Sequence, residues 1–205
     1  MKPKNDFAPR KPPRQIRSKE TVDAILTATT RVLVADGYNA ANTNRIAEVA
    51  GVSIGSLYQY FPSKEALVAA LIERHNNSII ELVESKLAEL KEKPLEKVLA
   101  ALVVATIKVH TVNPELHRVF TEQIPRVGQF EKVLDVEKRI VEILSDYFET
   151  ERERIRPQNL SLAAFIVVQT VEAVTHAAAV NDKDLLETNE LSEEITILLS
   201  RYLIN

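Results

Sequence analysis

The chain has 205 residues, 45% of them hydrophobic, which is enough apolar material for a substantial core. It contains 4 glycines, no tryptophan and no cysteine, which argues against a β-rich or loop-rich fold and excludes disulfides and thiolate metal sites. The formal net charge of −3 is unevenly divided: residues 1–75 have 11 Lys and Arg and 7 Asp and Glu, whereas residues 76–205 have 15 Lys and Arg and 22 Asp and Glu. A basic first part followed by an acidic remainder is expected if only the first part binds a polyanion.

Residues 1–17 contain four prolines and six lysines or arginines. Proline lacks the N–H that a helix needs and restrains the residue before it, so this stretch is predicted to be a disordered basic arm. Such an arm either follows a nucleic-acid groove or is a solvated tail, and the sequence leaves both open. We find no signal-peptide pattern and no run near the roughly 20 apolar residues of a membrane helix, so we expect a cytoplasmic protein without a membrane partner.

The pattern is helical from Ser18 onward. Apolar residues at three- and four-residue spacing predict a first helix that Ser18 caps and Gly37 ends. Thr43 and Ser53 are each placed to cap a short helix, and Gly51 between them permits the positive φ of a tight turn.

The rest of the chain is predicted to form longer helices. Ser63 caps a long helix after the break at Pro62, Pro94 marks the start of a strongly apolar helix, and Pro114 and Pro125 bracket a short one. The last predicted helices run from after residue 128 to near 154, over 160–180 and over about 190–204. No segment alternates with a period of two, so the predicted fold is all-α with about nine helices.

Residues 43–62 have the plan of a helix-turn-helix. Two short helices are joined by a glycine-containing turn, and Ile46 and Leu57 are placed to face a small core. Many helical proteins contain such turns, so the neighbouring residues decide how specific the signal is.

The stretches IAEVAGVSIG and SLYQYFPSKEAL resemble the DNA-binding head of TetR-type bacterial transcription regulators over about residues 18–75. The resemblance is carried by Thr43, Ile46, Ala47, Ala50 through Ser53, Gly55, Leu57, Tyr58, Tyr60, Phe61, Ser63, Lys64, Glu65 and Leu67. It implies a helix-turn-helix head over 18–62, a linking helix from 63, and a ligand-binding and dimerisation domain over 63–205.

The resemblance also implies roles for single residues. The first turn of the second short helix reaches base edges, while the start of the first short helix, two tyrosines and a lysine contact the DNA backbone. The predicted DNA-binding residues are Thr43, Asn44, Arg45, Ser53, Ile54, Gly55, Ser56, Tyr58, Gln59, Tyr60 and Lys64. The turn SIGS offers no side chain for bidentate base readout, so specificity is expected from Asn44, Arg45 or Gln59, from methyl contacts of Ile54, or from DNA shape.

For the body, the resemblance implies a homodimer through residues 160–204 and a small-molecule effector that acts on DNA binding. Polar residues on apolar helices are the candidate ligand-binding set: Thr106, His110, Gln123, Gln169, Glu172 and His176. Glu172 and His176 lie four apart on one helix face, where they either recognise a ligand or pair with each other. The apolar stretch AALVVATI favours a lipophilic ligand, although each polar residue also fits an ordinary core or surface role.

The sequence thus predicts a dimeric repressor that binds a palindromic double-stranded operator and is released by a small, largely apolar ligand. The alternative is a DNA-binding protein of the same fold with no small-molecule inducer, acting architecturally or through a protein partner. An enzyme is not expected, because the chain has no P-loop and no Glu-x-x-His pair, and we expect neither a metal nor a cofactor.

Overall fold

The computed structural model describes residues 16–112, 114–123, 130–182 and 184–204, and these contain ten α-helices and one 3-10 turn. The helices are α1 (Ile16–Ala40), α2 (Thr43–Ala50), α3 (Ile54–Tyr60), α4 (Lys64–Glu89), α5 (Leu95–Val112), α6 (Pro114–Gln123), α7 (Phe130–Thr150), α8 (Leu160–Asn181), α9 (Asp184–Glu187) and α10 (Glu190–Leu203). Since α9 is a single turn, the prediction of an all-α fold with about nine helices is confirmed.

The chain packs into two compact units that are not continuous in sequence. The first comprises the described residues up to His75 and those from Glu115 to Lys132, and the second comprises the rest. Helix α4 therefore contributes residues to both units. The predicted head ended at residue 62, where Pro62 breaks the helical pattern, but packing extends the first unit by about three turns of α4.

The core of the first unit joins α1 through α4 to α6. Ile46 and Leu57 of the two short helices are fully buried together with Phe61, and Val119 and Phe120 of α6 belong to the same cluster. The first half of α4 supplies further buried residues: Ala66, Leu67, Val68, Leu71 and Ile72. A helix-turn-helix of this size has too little apolar surface to fold alone, so these additional helices complete its core.

The second unit is built around α5, α8 and α10. Leu99, Ala164 and Leu199 are buried in one cluster that also includes residues of α4 and α7. At its edge, the backbone N–H of Arg156 donates to the carbonyl of Leu203 at 2.7 Å, and its guanidinium donates to carbonyls at the end of α10. These bonds satisfy carbonyls that the end of a helix otherwise leaves without partners.

Several helix limits differ from the predicted ones. Helix α1 begins at Ile16, so residues 16 and 17 are helical rather than part of the arm, and residues 1–15 lie outside the described residues. The cap of α2 is Asn42 and not Thr43, with Asn42 Oδ1 accepting from the N–H of Arg45 at 3.0 Å. Helix α7 ends at Thr150, and the predicted continuation toward residue 154 is a 3-10 turn.

Within the part of the chain that the structure describes, one helix is long and apolar enough to cross a membrane, by length and composition alone. The stretch Leu160–Ala179 of α8 is long and apolar enough to cross a bilayer, contrary to our expectation that no run comes near this length. Ala163, Ala164 and Val167 of this stretch are buried in the core of the second unit. A helix that is buried in a protein core carries apolar residues on most of its faces, so burial explains why the sequence of α8 is apolar.

Candidate functional site

Helices α2 and α3 form a helix-turn-helix whose turn is made by Gly51, Val52 and Ser53. Gly51 has φ of +68°, a value that side chains disfavour, and its N–H donates to the carbonyl of Glu48 at 3.1 Å. Ser53 caps α3 as predicted, its Oγ accepting from the N–H of Ser56 at 3.0 Å. The turn therefore fixes the direction of α3 relative to α2.

The first turn of α3 lies on the surface of the first unit. Ser53, Ile54 and Gly55 are exposed, whereas Leu57 on the opposite face is buried in the core. The predicted contact residues Asn44, Arg45 and Gln59 are exposed as well. Among the residues that the structure describes, this side of the helix-turn-helix is thus exposed, as an element that enters a groove must be.

Gly55 is not required by the fold. Its φ is not positive, and a Cβ at this position would have no neighbour closer than Ser53 Oγ at 3.9 Å. A glycine within a helix is less favourable than alanine by about 0.8–1.0 kcal/mol. The missing side chain therefore has no use inside the protein and leaves the backbone of α3 open to close approach from outside.

A pair of hydroxyl groups connects α2 to α3. Thr43 Oγ1 and Tyr58 OH lie 2.9 Å apart on the surface, and the Tyr58 side chain is 43% exposed. Tyr60 is half-buried and packs against the core of the first unit. Of the two tyrosines predicted to contact DNA, Tyr58 is thus the more accessible, and its hydroxyl is already positioned by Thr43.

Lys64 is half-buried, and its ammonium group binds backbone carbonyls at the end of α1. Its Nζ donates to the carbonyls of Tyr38 at 2.7 Å and Ala41 at 3.0 Å and lies 4.2 Å from the centroid of the Tyr38 ring. Burial by itself raises the pKa of the neighbouring Glu65. The pKa is nevertheless below its ordinary value, because the carboxylate accepts hydrogen bonds from the Glu65 backbone N–H and from the hydroxyls of Ser63 and Tyr38, and because Lys64 is positively charged. An ammonium has three donors, and two of those of Lys64 are used by these carbonyls.

Replacing Lys64 by methionine is therefore expected to destabilise the protein. Lys64→Met removes two charge-assisted hydrogen bonds to carbonyls and should lower the free energy of unfolding by about 1–2 kcal/mol. Urea unfolding at fixed protein concentration measures the change. The control is Lys86→Met on the same helix, where the lost partner is the exposed Glu89 at 2.7 Å and the expected change is about 0.5 kcal/mol or less. Equal midpoints for the two variants would show that Lys64 does not fasten α1.

Four of the predicted ligand-binding residues meet in the second unit. His110 on α5 lies with its Nε2 3.6 Å from Glu172 Oε2, and its Nδ1 is 2.9 Å from the carbonyl oxygen of Thr106. The rings of His110 and His176 pack edge to face with centroids 6.0 Å apart. Four of the six predicted residues thus lie close together, and Glu172 pairs with a histidine on another helix.

The two glutamines of the predicted set lie elsewhere. Gln169 donates to Glu137 of α7 at 3.1 Å, a pairing that the sequence did not indicate. Gln123 belongs to the first unit, whereas the other five residues of the predicted set belong to the second. It is 2% exposed, and its Oε1 has no hydrogen-bond partner among the residues that the structure describes. Gln123 lies on the amphipathic helix α6, whose Val119 and Phe120 pack in the core of the first unit.

An apolar cavity of about 50 Å³ lies beside the cluster in the second unit. Its lining is aliphatic except for Thr106 and Glu172. Burial raises the pKa of Glu172, and Glu137 adds to this rise while His110 and His176 oppose it. The cavity and the polar cluster therefore share the carboxyl group of Glu172, whose pKa is changed by burial and by the charged groups around it.

The chain matches two sequence families along most of its length. The family described as "Bacterial regulatory proteins, tetR family" matches residues 25–71, and "Tetracyclin repressor-like, C-terminal domain" matches residues 94–203. An uncharacterised HTH-type transcriptional regulator of Mycobacterium tuberculosis is 32% identical over 112 residues, which are 55% of this chain and 54% of that protein. The chain thus spans about half the length of this relative.

Solved structures share the fold. A structure from Mesorhizobium loti, described as a TetR-family transcriptional regulator, has a TM-score of 0.77 at 20% identity and covers 93% of this chain and 100% of its own. SmeT, the repressor of the Stenotrophomonas maltophilia multidrug efflux pump SmeDEF, has a TM-score of 0.69 at 19% identity and covers 91% and 93%. At these identities the likeness shows the arrangement of helices.

Proposed function

Because the chain belongs to the TetR family of bacterial transcriptional regulators, which are DNA-binding proteins and not enzymes, we propose that it is a cytoplasmic repressor. It binds a palindromic DNA operator as a homodimer, and a small, largely apolar effector releases it. The observation that carries the DNA-binding part is the exposed first turn of α3, whose Gly55 serves no purpose within the fold.

The proposed DNA contacts divide into two kinds. Thr43, Tyr58 and the remaining donor of Lys64 contact the phosphate backbone, which positions the protein without reading sequence. Ile54, which is 37% exposed, supports methyl contacts with thymine in the major groove. The exposed residues Asn44, Arg45 and Gln59 are assigned the direct hydrogen bonds to bases. Arg45 can make such a bond only when its ion pair with Glu48, at 2.9 Å, is broken.

An apolar surface on α8 and α10 supports the proposed homodimer. Its exposed members are Leu162, Phe165, Ile197 and Leu198, with exposed fractions of 51%, 49%, 44% and 55%. Two-fold pairing places the same surface of each subunit against the other, so both copies are covered at once. The proposed interface lies within residues 160–204.

The effector site is proposed at the cavity of the second unit, with α4 as the element through which binding alters DNA affinity. The effector and the operator then share one coupling free energy, so each lowers the affinity of the other by the same factor, about 5–150-fold for a coupling of 1–3 kcal/mol. Calorimetry of an effector found by thermal shift, with and without operator duplex, measures this factor. Equal affinities in the two titrations would contradict ligand-controlled release.

A second candidate function is DNA binding without a small-molecule inducer. The observation that favours it is the volume of the cavity, since about 50 Å³ is far below the roughly 300–1,000 Å³ of typical ligand pockets. Under this alternative the protein acts architecturally or responds to a protein partner. Operator binding that no compound of a broad thermal-shift library alters would favour it over the inducible repressor.

A further inference from the structure

The first unit carries no net charge once residues 1–15 are set aside. Residues 16–75 contain 6 Lys and Arg and 6 Asp and Glu, and residues 115–132 contain 3 of each kind. The second unit contains 12 Lys and Arg and 19 Asp and Glu. Residues 1–15 contain 5 Lys and Arg and a single Asp, so the whole basic excess of residues 1–75 lies before α1 begins at Ile16.

Within the described part of the first unit, the protein itself engages several basic side chains. Arg45 pairs with Glu48 at 2.9 Å, and Arg74 pairs with Asp23 at 3.0 Å. Lys64 donates two hydrogen bonds to backbone carbonyls. Binding to DNA releases counterions where protein cations replace them at the phosphates. A unit without net charge, whose cations are partly paired, therefore supplies little of the electrostatic part of DNA affinity.

Residues 1–15 join the first unit at the start of α1. The other end of α1 leads directly into the helix-turn-helix, since Asn42, which caps α2, follows Ala40 by two positions. The 25 residues of α1 make a helix roughly 38 Å long. A segment of 15 residues spans up to about 50 Å when extended, so one that starts at Ile16 is long enough to reach DNA held by α2 and α3.

We propose that the basic residues before α1 are the main electrostatic contact of the chain with DNA, and that they bind phosphates beside the site of α3. The inference rests on the DNA-binding part of the proposed function. Without residues 1–15 each subunit has a formal charge of −7, so the rest of the protein is repelled by DNA overall. A solvated tail, the alternative that the sequence leaves open, would leave DNA binding to a unit without net charge. The five proposed contacts are Lys2, Lys4, Arg10, Lys11 and Arg14.

Replacing these five cations by glutamine in the full chain, the arm variant, tests the proposal. The probe is a labelled duplex of about 30 base pairs and mixed sequence, and fluorescence anisotropy gives its affinity at about 25 to 100 mM salt, where phosphate contacts control binding. Each phosphate contact adds about 0.9 to the slope of log affinity against log salt. We expect about half of the ten cations of a homodimer to bind phosphate, which lowers the slope by about 4.5 in the arm variant. Over this fourfold range of salt, the affinity advantage of the wild type should then shrink about 500-fold.

A control variant separates local contacts from net charge. It carries the same number of glutamine substitutions at exposed lysines of the second unit, namely Lys91, Lys93, Lys97, Lys108 and Lys138. The change in net charge equals that of the arm variant, but the slope should stay within about one unit of the wild-type value. Urea unfolding checks that both variants are folded. An arm variant whose slope matches that of the control would overturn the proposal.

A second duplex, which the wild-type chain selects from a randomised library, separates this inference from the proposed function. Phosphate contacts carry no sequence information, so the ratio of affinities for the selected and mixed duplexes should stay within about threefold in the arm variant. A larger fall in this ratio would mean that the arm reads bases and would overturn the phosphate assignment. If the wild type selects no sequence but the slope still falls in the arm variant, the inference stands and the operator-binding repressor fails. If a sequence is selected and the arm variant keeps the wild-type slope, the repressor stands and the inference fails.

Discussion

Gly55→Ala is expected to weaken operator binding by roughly 30-fold or more without lowering the stability of the protein. A Cβ at this position has only Ser53 Oγ nearby, at 3.9 Å, so the fold accepts it, and alanine is the better helix former. Where α3 meets a base pair, the same methyl group should overpack the interface and cost about 1–3 kcal/mol of binding free energy. A dimer has two such contacts, so the total cost is about 2–6 kcal/mol.

Gly51→Ala is the matched control, because its expected effects are reversed. A Cβ added at Gly51 would likewise meet no close neighbour among the described residues, but the φ of +68° disfavours any side chain. The variant should therefore lose about 1–2 kcal/mol of stability while the folded protein keeps its operator affinity. Fluorescence anisotropy with labelled operator and urea unfolding measure the two quantities for both variants. Unchanged affinity in Gly55→Ala would mean that the first turn of α3 does not approach DNA.

Leu198→Asp is expected to convert the protein to a monomer. Leu198 is 55% exposed on α10 and stands next to Ile197 on the apolar surface that we propose as the interface. An unpaired carboxylate buried in an apolar contact costs several kcal/mol, and two-fold symmetry buries it twice, so dimer affinity should fall at least about 100-fold. Operator affinity should fall with it, since a monomer presents a single α3 to a palindrome.

Sedimentation across a range of protein concentrations measures this dissociation, and circular dichroism checks that the helices remain. The control is Val104→Asp on α5, which is 50% exposed and lies outside the proposed interface. A Leu198→Asp variant that still sediments as the dimer would place the interface outside this surface of α10.

Helix positions were largely predictable because their signals are local. Ser53 caps α3, Pro94 precedes α5 and Gly37 interrupts α1 with φ of +72°, each as its residue type indicates. The error at Asn42 and Thr43 has a physical reason: both residue types cap helices well, and the hydroxyl of Thr43 is engaged by Tyr58, which lies 15 positions away. A contact of that range leaves no trace in local periodicity.

The same limit applies to the candidate sites. The surface of α2 and α3 was identifiable because its residues are close in sequence. The hydrogen bond from Lys64 to the Tyr38 carbonyl was not, since Tyr38 lies on another helix. Glu172 was identified from its place on an apolar helix, whereas its partner His110 lies on α5 and could not be assigned from spacing. Pairing across helices is decided by packing, and packing also placed Gln123 in the first unit.

The discontinuous first unit has a consequence for synthesis of the chain. Its core includes Val119 and Phe120 of α6, which are translated only after all of α5, a helix of the second unit. Domains generally fold in the order in which they leave the ribosome. The core of the first unit therefore stays incomplete while α5 emerges, and its apolar residues remain partly uncovered until α6 has been synthesised. A nascent chain or proteolytic fragment ending with α4 therefore exposes the surface that α6 covers, and the shortest product with this core complete extends to Phe120.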